Sequence, residues 1–274
     1  MVTKDQRRRQ LARDKFERQH ERRVQAHRKT VRRNAVVAAV LAVVLAAGAT
    51  AWAAGAFSSD AKKDDAAAAG TTPSPAQTSK APDPCAKPAE GAVGTEQWKK
   101  EPAVTVDSAA KYTFTLQTTC GDIALDLDAK NAPHTVNSFA FLAGKGFFDH
   151  TKCHRLTTSG IYVLQCGDPT GQGTGGPGYT IPDENLKAKE IAGGSYPAGT
   201  VAMANTGQAH TGGSQFFLVY KDSPLPPNYT PFGTIGAAGM KVLGKIAAAG
   251  ESTGAGDGAP NATVVIDKAT VAKS

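Results

Sequence analysis

Arg155 stands ten positions before Gln165, and a glycine-rich run from Gly171 to Gly178 follows. An arginine in this company is a fixed charge rather than a proton carrier. Its guanidinium stays protonated and presents donors in a rigid fork. The groups that would break a covalent bond are missing from the pattern. Gly213-Ser214-Gln215 is not the Gly-x-Ser-x-Gly turn that activates a serine. The histidines, His20, His27, His134, His150, His154 and His210, do not make a zinc set, and His154 reads as structural. No two cysteines have the spacing of a metal site. The glycine run lacks Gly-Lys-Ser/Thr and no helical pattern follows it, so it is not a phosphate loop. It reads as a tight loop whose backbone must approach something closely. These observations point to a reaction in which no covalent bond breaks, with no cofactor and no metal.

Regular elements must position these residues. Tyr112 to Leu116 alternates, Cys120-Gly121-Asp122 turns, and Ile123 to Leu127 alternates again, which predicts a β-hairpin. Ala132 to Leu142 has Val136, Phe139 and Leu142 on one helical face. Short β-like runs follow at Tyr162–Leu164, Thr200–Met203, Gln215–Tyr220 and Phe232–Ile235. Gly239 to Ala249 is a second amphipathic helix, and Ala262–Ile266 a closing strand. Two helices and about eight short strands predict a mainly β fold, a closed antiparallel barrel with helices at its ends. The folded domain is expected over residues 104–274.

The N-terminal part is different. Residues 1–33 carry thirteen Lys or Arg against four acids, while the remaining chain holds 18 bases and 20 acids. The overall charge of +7 therefore belongs to the first segment, and nucleic-acid binding by the folded body is not expected. Ala35 to Phe57 is uncharged for 23 residues, and about 20 suffice to span a bilayer as a helix. A transmembrane helix or signal anchor is expected over 34–57, single-pass, with the basic side cytoplasmic and the C-terminal domain outside the cell membrane. A cleaved signal peptide ending at Ala51-Trp52-Ala53 or Ala54-Gly55-Ala56 is the alternative; the long basic segment argues against it. Residues 58–103, rich in Ala, Asp, Lys, Pro, Thr and Ser, predict a flexible spacer. Cys85, Cys120, Cys153 and Cys166 would lie where disulfides persist. Three full pairings are open, and strand parity speaks against Cys153–Cys166 unless a bulge intervenes: Cys153 shares a face with Arg155, and Cys166 is one step from Gln165.

His154-Arg155, Gln165-x-Gly167-Asp168, Gly173-Thr174-Gly175-Gly176, Met203-Ala204-Asn205, Gly213-Ser214-Gln215-Phe216-Phe217 and Phe232-Gly233 occur in the order and approximate spacing of the cyclophilins. The chain resembles these peptidyl-prolyl cis-trans isomerases from about Tyr112 to Ile266. With its anchor and spacer it is similar to the membrane-tethered cyclophilins of high-GC Gram-positive bacteria. The resemblance implies an eight-stranded barrel capped by two helices, a substrate groove on the outer wall, and proline-containing polypeptides as partners; a monomer is expected. It implies Arg155 and Gln165 as catalytic residues, with Gly173 and Gln215 contributing to the groove. Ala204 and Asn205 would give backbone contacts to the residue before proline. Tyr162, Val163 and Phe217 would line the proline pocket, with Leu225 and Tyr229 at its rim. Phe216 and Met203 would belong to the core.

Two departures from the family pattern matter. Two extra residues in Thr157-Thr158-Ser159-Gly160 leave either Tyr162 or Ile161 to fill a position that the family gives to phenylalanine. Leu225 stands where many members carry tryptophan, so weak cyclosporin binding is expected. These departures also motivate an alternative, a non-catalytic proline-peptide binding module or holdase.

Overall fold

The computed structural model describes residues 82–274. The expected basic segment, the membrane helix and the spacer as far as residue 81 lie outside the described residues. Among the described residues, no helix is long and apolar enough to cross a membrane.

Alternation builds the first hairpin. Strands β1 (Tyr112–Thr118) and β2 (Gly121–Leu127) pair antiparallel from Tyr112 opposite Leu127 to Thr118 opposite Gly121. Phe114, Leu116, Ile123 and Leu125 enter the core, and their sequence neighbours stay at least partly in solvent. Helix α1 (Pro133–Gly144) opens on a proline, whose fixed φ and missing N–H suit the first helical position. Its apolar face buries Val136, Phe139 and Leu142. Phe139 is the aromatic hub of the core: its ring centre lies 4.7 Å from that of Phe232, 5.3 Å from Phe148, 5.4 Å from Phe216 and 5.6 Å from Phe114.

The strands β3 (Thr151–Lys152), β4 (Arg155–Thr157), β5 (Val163–Cys166), β6 (Thr200–Met203), β7 (Phe216–Val219) and β8 (Pro231–Ile235) follow. After them come α2 (Ala237–Ala248), β9 (Asp257–Gly258) and β10 (Val265–Lys273). All ten strands form one sheet in the order β3-β10-β1-β2-β8-β6-β7-β5-β4-β9. The strand count thus exceeds the expected eight, through two-residue pieces that carry too little pattern to read. The last strand starts later and runs longer than the Ala262–Ile266 apolar run, because β1 pairs with it along its whole length, out to Tyr112 opposite Lys273. Only Cys153 and His154 join β3, at one margin of the sheet, to β4, which lies next to the other margin.

The central strands separate two cores. Phe216, Leu218, Leu164, Cys166, Val201 and Met203 face the main core. Their alternates Phe217, Val219, Val163 and Ala202 face a smaller cluster outside the sheet, with Ile191 and Tyr196. Both faces being buried, β7 reads as an unbroken apolar run and β6 as one after Thr200.

Two disulfides form, Cys85–Cys120 and Cys153–Cys166. The second corrects the parity argument. That argument needs a strand continuous through Cys153, but β4 begins at Arg155. Cys153 lies in the join between β3 and β4, donates its N–H to the Val264 carbonyl at 3.0 Å, and enters the main core beside Cys166.

Residues 82–103, expected as spacer, have no helix or strand, yet they are fastened to the domain. Cys85 is bonded to the β1–β2 turn. The Ala86 N–H donates to the Thr119 carbonyl at 2.8 Å and the Ala89 N–H to Asp267 at 2.9 Å. The Trp98 ring packs edge-on to Phe141 at 5.0 Å. The compact body therefore starts before Val104, and its first stretch is a strap. Composition did not reveal this, because disulfide, backbone and aromatic anchors need few apolar residues.

The N-terminus of α1 lacks a local cap, since Ala132 has no side-chain acceptor. Glu184 supplies one from 49–50 residues away, accepting from the N–H groups of His134 at 3.0 Å and Thr135 at 2.9 Å and from the Thr135 hydroxyl at 2.8 Å. A carboxylate at a helix N-terminus satisfies orphan donors and complements the helix dipole. Glu184→Ala should lower the unfolding free energy by about 1–2 kcal/mol in a denaturant titration.

Candidate active site

Arg155 and Gln165 are directly opposite in the β4–β5 ladder, both on the outer face. Gln165 is in turn opposite Phe217 of β7. This register lines up the polar groups. Arg155 Nη1 donates to Gln165 Oε1 at 3.2 Å; Gln165 Nε2 donates to Gln215 Oε1 at 2.9 Å; Gln215 Nε2 donates to the Gly175 carbonyl at 2.9 Å. Each amide accepts on one side and donates on the other, so the chain has one direction, fixed by the arginine at its head.

Asp257 of β9, which sequence reasoning missed, holds the other side of the guanidinium. Its carboxylate accepts from Arg155 Nε and Nη2, each at 2.7 Å. The hydrogen bond from Arg155 holds the Asp257 carboxyl below the usual carboxylate range, and the same bond holds the guanidinium above its ordinary value. The pair is open to solvent, with side chains 37% and 56% exposed. It contributes little to stability; its effect is to set orientation. Three of the five guanidinium N–H groups are engaged, leaving one on each Nη. No local motif marks Asp257, which arrives 102 residues after Arg155 through the β4–β9 pairing.

Beside the arginine is a pocket of about 200 Å³ lined by Arg155, Ile161, Val163, Gln165, Ala204, Asn205, Phe217, Leu225 and Tyr229. Of the two candidates, Ile161 lines this pocket and Tyr162 does not. Ile161, Val163 and Gln165 alternate onto one face, while Tyr162 falls on the other. Tyr162 is not part of the pocket: its ring meets Tyr220 edge-on at 5.9 Å, and the Lys221 ammonium lies 4.4 Å from its centre. Phe217 and Tyr229 stand edge to face at 5.4 Å. Behind them Tyr196, also unforeseen, is fully buried. Its hydroxyl donates to the Tyr229 carbonyl at 2.6 Å and accepts from the Tyr229 N–H at 3.1 Å. Burial pushes this phenol up to about 12. Tyr196 lies in an irregular stretch whose sequence has no period to give it away.

The Ala204 N–H donates to the Gln215 carbonyl at 2.9 Å. Any contact to a peptide at this point must use the Ala204 carbonyl or the backbone of Asn205. The Asn205 side chain is engaged with the Asn228 carbonyl at 2.8 Å and the Gly207 N–H at 2.9 Å. Gly173 lies in a second, larger groove beside the pocket, which shares Gln165, Ala204 and Asn205 with it.

The glycine-rich loop approaches two things closely. One is the buried carboxylate of Asp168, which accepts from the Thr170 N–H and hydroxyl at 2.7 and 2.8 Å, and from the N–H groups of Gln172, Gly173 and Thr174 at 3.1, 2.5 and 2.9 Å. A Cβ on Gly175 would come within 2.1 Å of Asp168 Oδ1. The other is the strap: Gly178 has φ +90°, and a Cβ there would meet the Trp98 carbonyl at 2.7 Å. Burial pushes the Asp168 carboxyl up, but the Thr170 hydroxyl and the backbone N–H groups of Thr170, Gly175 and Gly173 outweigh it, and the net shift is down. His154, beside the loop, is pushed down by burial.

This is a mainly β fold with two helices and an arginine at the side of a pocket on the outer wall that mixes polar and apolar side chains. Residues 113–271 match the family model described as cyclophilin-type peptidyl-prolyl cis-trans isomerase. Over 203 residues the chain is 48% identical to a probable peptidyl-prolyl cis-trans isomerase B of Mycobacterium leprae, covering 70% of this chain and 64% of that protein. It is 50% identical over 165 residues to the Mycobacterium tuberculosis protein of the same name, covering 57% of this chain and 53% of that one. The match thus spans about half to under two thirds of the length of these relatives. A crystal structure of a cyclophilin-type peptidyl-prolyl cis-trans isomerase of Cryptosporidium parvum superposes with a TM-score of 0.50 at 25% identity, over 60% of this chain and 99% of that one. The chain belongs to the cyclophilin-type peptidyl-prolyl cis-trans isomerase family.

Asp168→Ala should leave the backbone N–H groups of the glycine-rich loop and the Thr170 hydroxyl without their acceptor and cost about 2–4 kcal/mol of stability. Because the folded-state pKa is lowered, the wild-type carboxylate stabilises fully above the ordinary aspartate value of about 3.9, and the contribution is lost as pH falls through the lowered one. The stability difference between wild type and variant, measured by denaturation across pH, should therefore be constant above pH ~5 and shrink only in strong acid.

Proposed function

We propose that this protein is a peptidyl-prolyl cis-trans isomerase acting on X-Pro bonds of exported or cell-envelope polypeptides. The observation that carries the reading is Arg155, fixed by Asp257 and Gln165 and left with two N–H groups beside a pocket that Ile161, Val163, Phe217 and Leu225 help to line. Planar peptide bonds resist rotation by about 18–20 kcal/mol because the nitrogen lone pair is delocalised. At a 90° twist the imide nitrogen of proline recovers that pair and becomes an acceptor. A guanidinium aimed at it binds the twisted state better than either planar state, which is the condition for catalysis. Val163, Phe217, Leu225 and Ile161 would hold the ring while the preceding part of the substrate turns. One charge-assisted hydrogen bond is worth about 1.5–3 kcal/mol, or about 10- to 150-fold in rate. The pocket must add to it by selecting a distorted, partly desolvated proline. The short join at Cys153 and His154 supports a sheet that closes into a barrel around the main core.

The reading extends to location. The uncharged run Ala35–Phe57 behind an arginine-rich segment supports a single-pass anchor with the isomerase domain outside the cell membrane, and two disulfides suit an oxidising compartment. The domain would act as a monomer. Protease added to intact cells should digest the domain and spare the N-terminal segment.

In a protease-free exchange measurement on a proline peptide, Arg155→Ala should lower kcat/KM by at least about tenfold; equal rates would falsify the assignment and favour a binding module. Arg155→Lys should recover little, because an ammonium has three donors on one atom, and meeting Asp257 twice and Gln165 once would leave none for the substrate. Between pH 7 and 8 the wild-type rate should be flat. Arg155 is shifted up, Asp257 down, and His154 down from the ordinary histidine value of about 6.5, so none of the three crosses its titration there. Cyclosporin should bind weakly, since Leu225 offers no indole N–H; nanomolar inhibition would contradict this.

A further inference from the structure

The Cys153–Cys166 disulfide lies behind the Arg155–Gln165 pair. It closes a ring of the chain in which Arg155 comes two residues after one cysteine and Gln165 immediately before the other. Both cysteines are buried in the main core, whereas Arg155 and Gln165 reach out from the other face of the sheet. The bond therefore joins the two chain segments from the inside at the point where the arginine leaves them on the outside.

That point has little else to hold it. The β4–β5 ladder has two rungs, Arg155 opposite Gln165 and Leu156 opposite Leu164. Arg155 is thus on the end rung, and β9 does not reinforce its backbone, because β9 meets β4 only at Leu156 and Thr157. Ladder ends open more readily than ladder centres. On the Cys166 side the backbone is secure: Gln165 is opposite Phe217 and Cys166 opposite Phe216 in β7. On the other side, past the end rung, Cys153 is held by its N–H bond to the Val264 carbonyl and by the disulfide. The disulfide thus fastens a loose strand end to a firm one. The second disulfide is placed elsewhere: Cys85–Cys120 ties the strap to the β1–β2 turn, and neither of its residues lines the pocket.

We propose that Cys153 and Cys166 are positioning residues for Arg155, and that their disulfide makes the isomerase redox-sensitive. Oxidised, the end rung is closed and the guanidinium is held beside the pocket. Reduced, the fold persists, but the rung opens part of the time and the guanidinium loses its aim. The proposal rests on the isomerase reading. Closing the bond takes two protons and two electrons from the two thiols; a disulfide-bearing oxidant accepts them, and its own disulfide becomes two thiols. The chain would thus be a poor isomerase in a reducing compartment and gain its rate on oxidation. Arg155 favours the twisted imide over the planar ground states, so loss of aim should lower kcat and leave peptide affinity alone.

The test uses the full-length chain carrying Cys85→Ala and Cys120→Ala, in which Cys153–Cys166 is the one disulfide left and can be opened with dithiothreitol. Isomerisation of a proline peptide is followed by NMR exchange, and its binding by calorimetry. Reduction should lower kcat by about 3- to 30-fold, a part of the ~10- to 150-fold that Arg155 supplies, with Kd changed by less than about twofold. Cys153→Ala/Cys166→Ala, which has no such bond to form, should match the reduced protein whether or not reductant reaches the buried sulfurs. Cys85→Ala/Cys120→Ala, oxidised, should keep the wild-type rate, although the bond it lacks spans 35 residues against 13 and should stabilise the fold more. In an Arg155→Ala background, opening Cys153–Cys166 should cause no further loss, because both changes act through one group. An unchanged kcat both on reduction and in Cys153→Ala/Cys166→Ala, or an equal loss in the Arg155→Ala background, overturns the proposal. The Arg155 Nε–H resonance is read alongside. If its solvent exchange quickens when the disulfide opens while no peptide is isomerised in any state, the positioning role holds and the isomerase reading fails.

Discussion

Four consecutive buried residues in β7 cannot all face one core. Phe216 and Leu218 turn inward and Phe217 and Val219 outward, and this alternation governs what lies on either side. Inward, Phe216 meets Phe139, Phe114 and Phe148 in a ring cluster that packs α1 onto the sheet. Outward, Phe217 and Val163 make the apolar floor on which Tyr196, Tyr229 and Leu225 close. A shift of one residue in β7 would exchange floor and core together. The pocket is therefore as well defined as the interior, because the same backbone carries both.

On the same outer face, polarity is arranged as economically as packing. Arg155 can only donate, so the atom of Gln165 nearest it must be the oxygen; its nitrogen must then face Gln215, whose nitrogen in turn reaches the Gly175 carbonyl. A charge at one end thus orients two neutral amides and ties the glycine-rich loop to β4 and β5. Asp257 does from the other side what Gln165 cannot, holding two nitrogens at once. The arginine is immobilised without being buried, which leaves one donor on each Nη outside these bonds.

Much of this was legible in the sequence. Alternation gave the β1–β2 hairpin, and 3.6-residue spacing gave both helices within a few positions of their observed ends. Arg155, Gln165 and Gln215 were recoverable as a set because their spacing resembles a family. What escaped detection depends on chain segments meeting in space. Asp257 sits in a two-residue strand, Tyr196 in an irregular loop, and neither has a local pattern. The Ile161–Tyr162 ambiguity came from two inserted residues, which shift any count along the chain; strand alternation back from Gln165 was the more reliable guide. Parity failed for Cys153 for the opposite reason, since it presumes strand geometry where the chain turns. The strap was misread because low apolar content was taken for freedom, whereas one disulfide and one tryptophan suffice to hold an extended segment.

The division of residues 151–157 between two margins has a further effect. The sheet is bounded by β3 and β9, each only two residues long. An exposed strand edge is a row of unpaired N–H and C=O groups that can template another chain. These two strands offer almost nothing to add to, but β3 covers β10 only at Val265 and Ile266, and beyond them β10 pairs with β1 alone. Among the described residues, the longer stretch without a second partner strand is β10 past Ile266, so strand addition from another chain would have to occur there rather than at the two outermost strands.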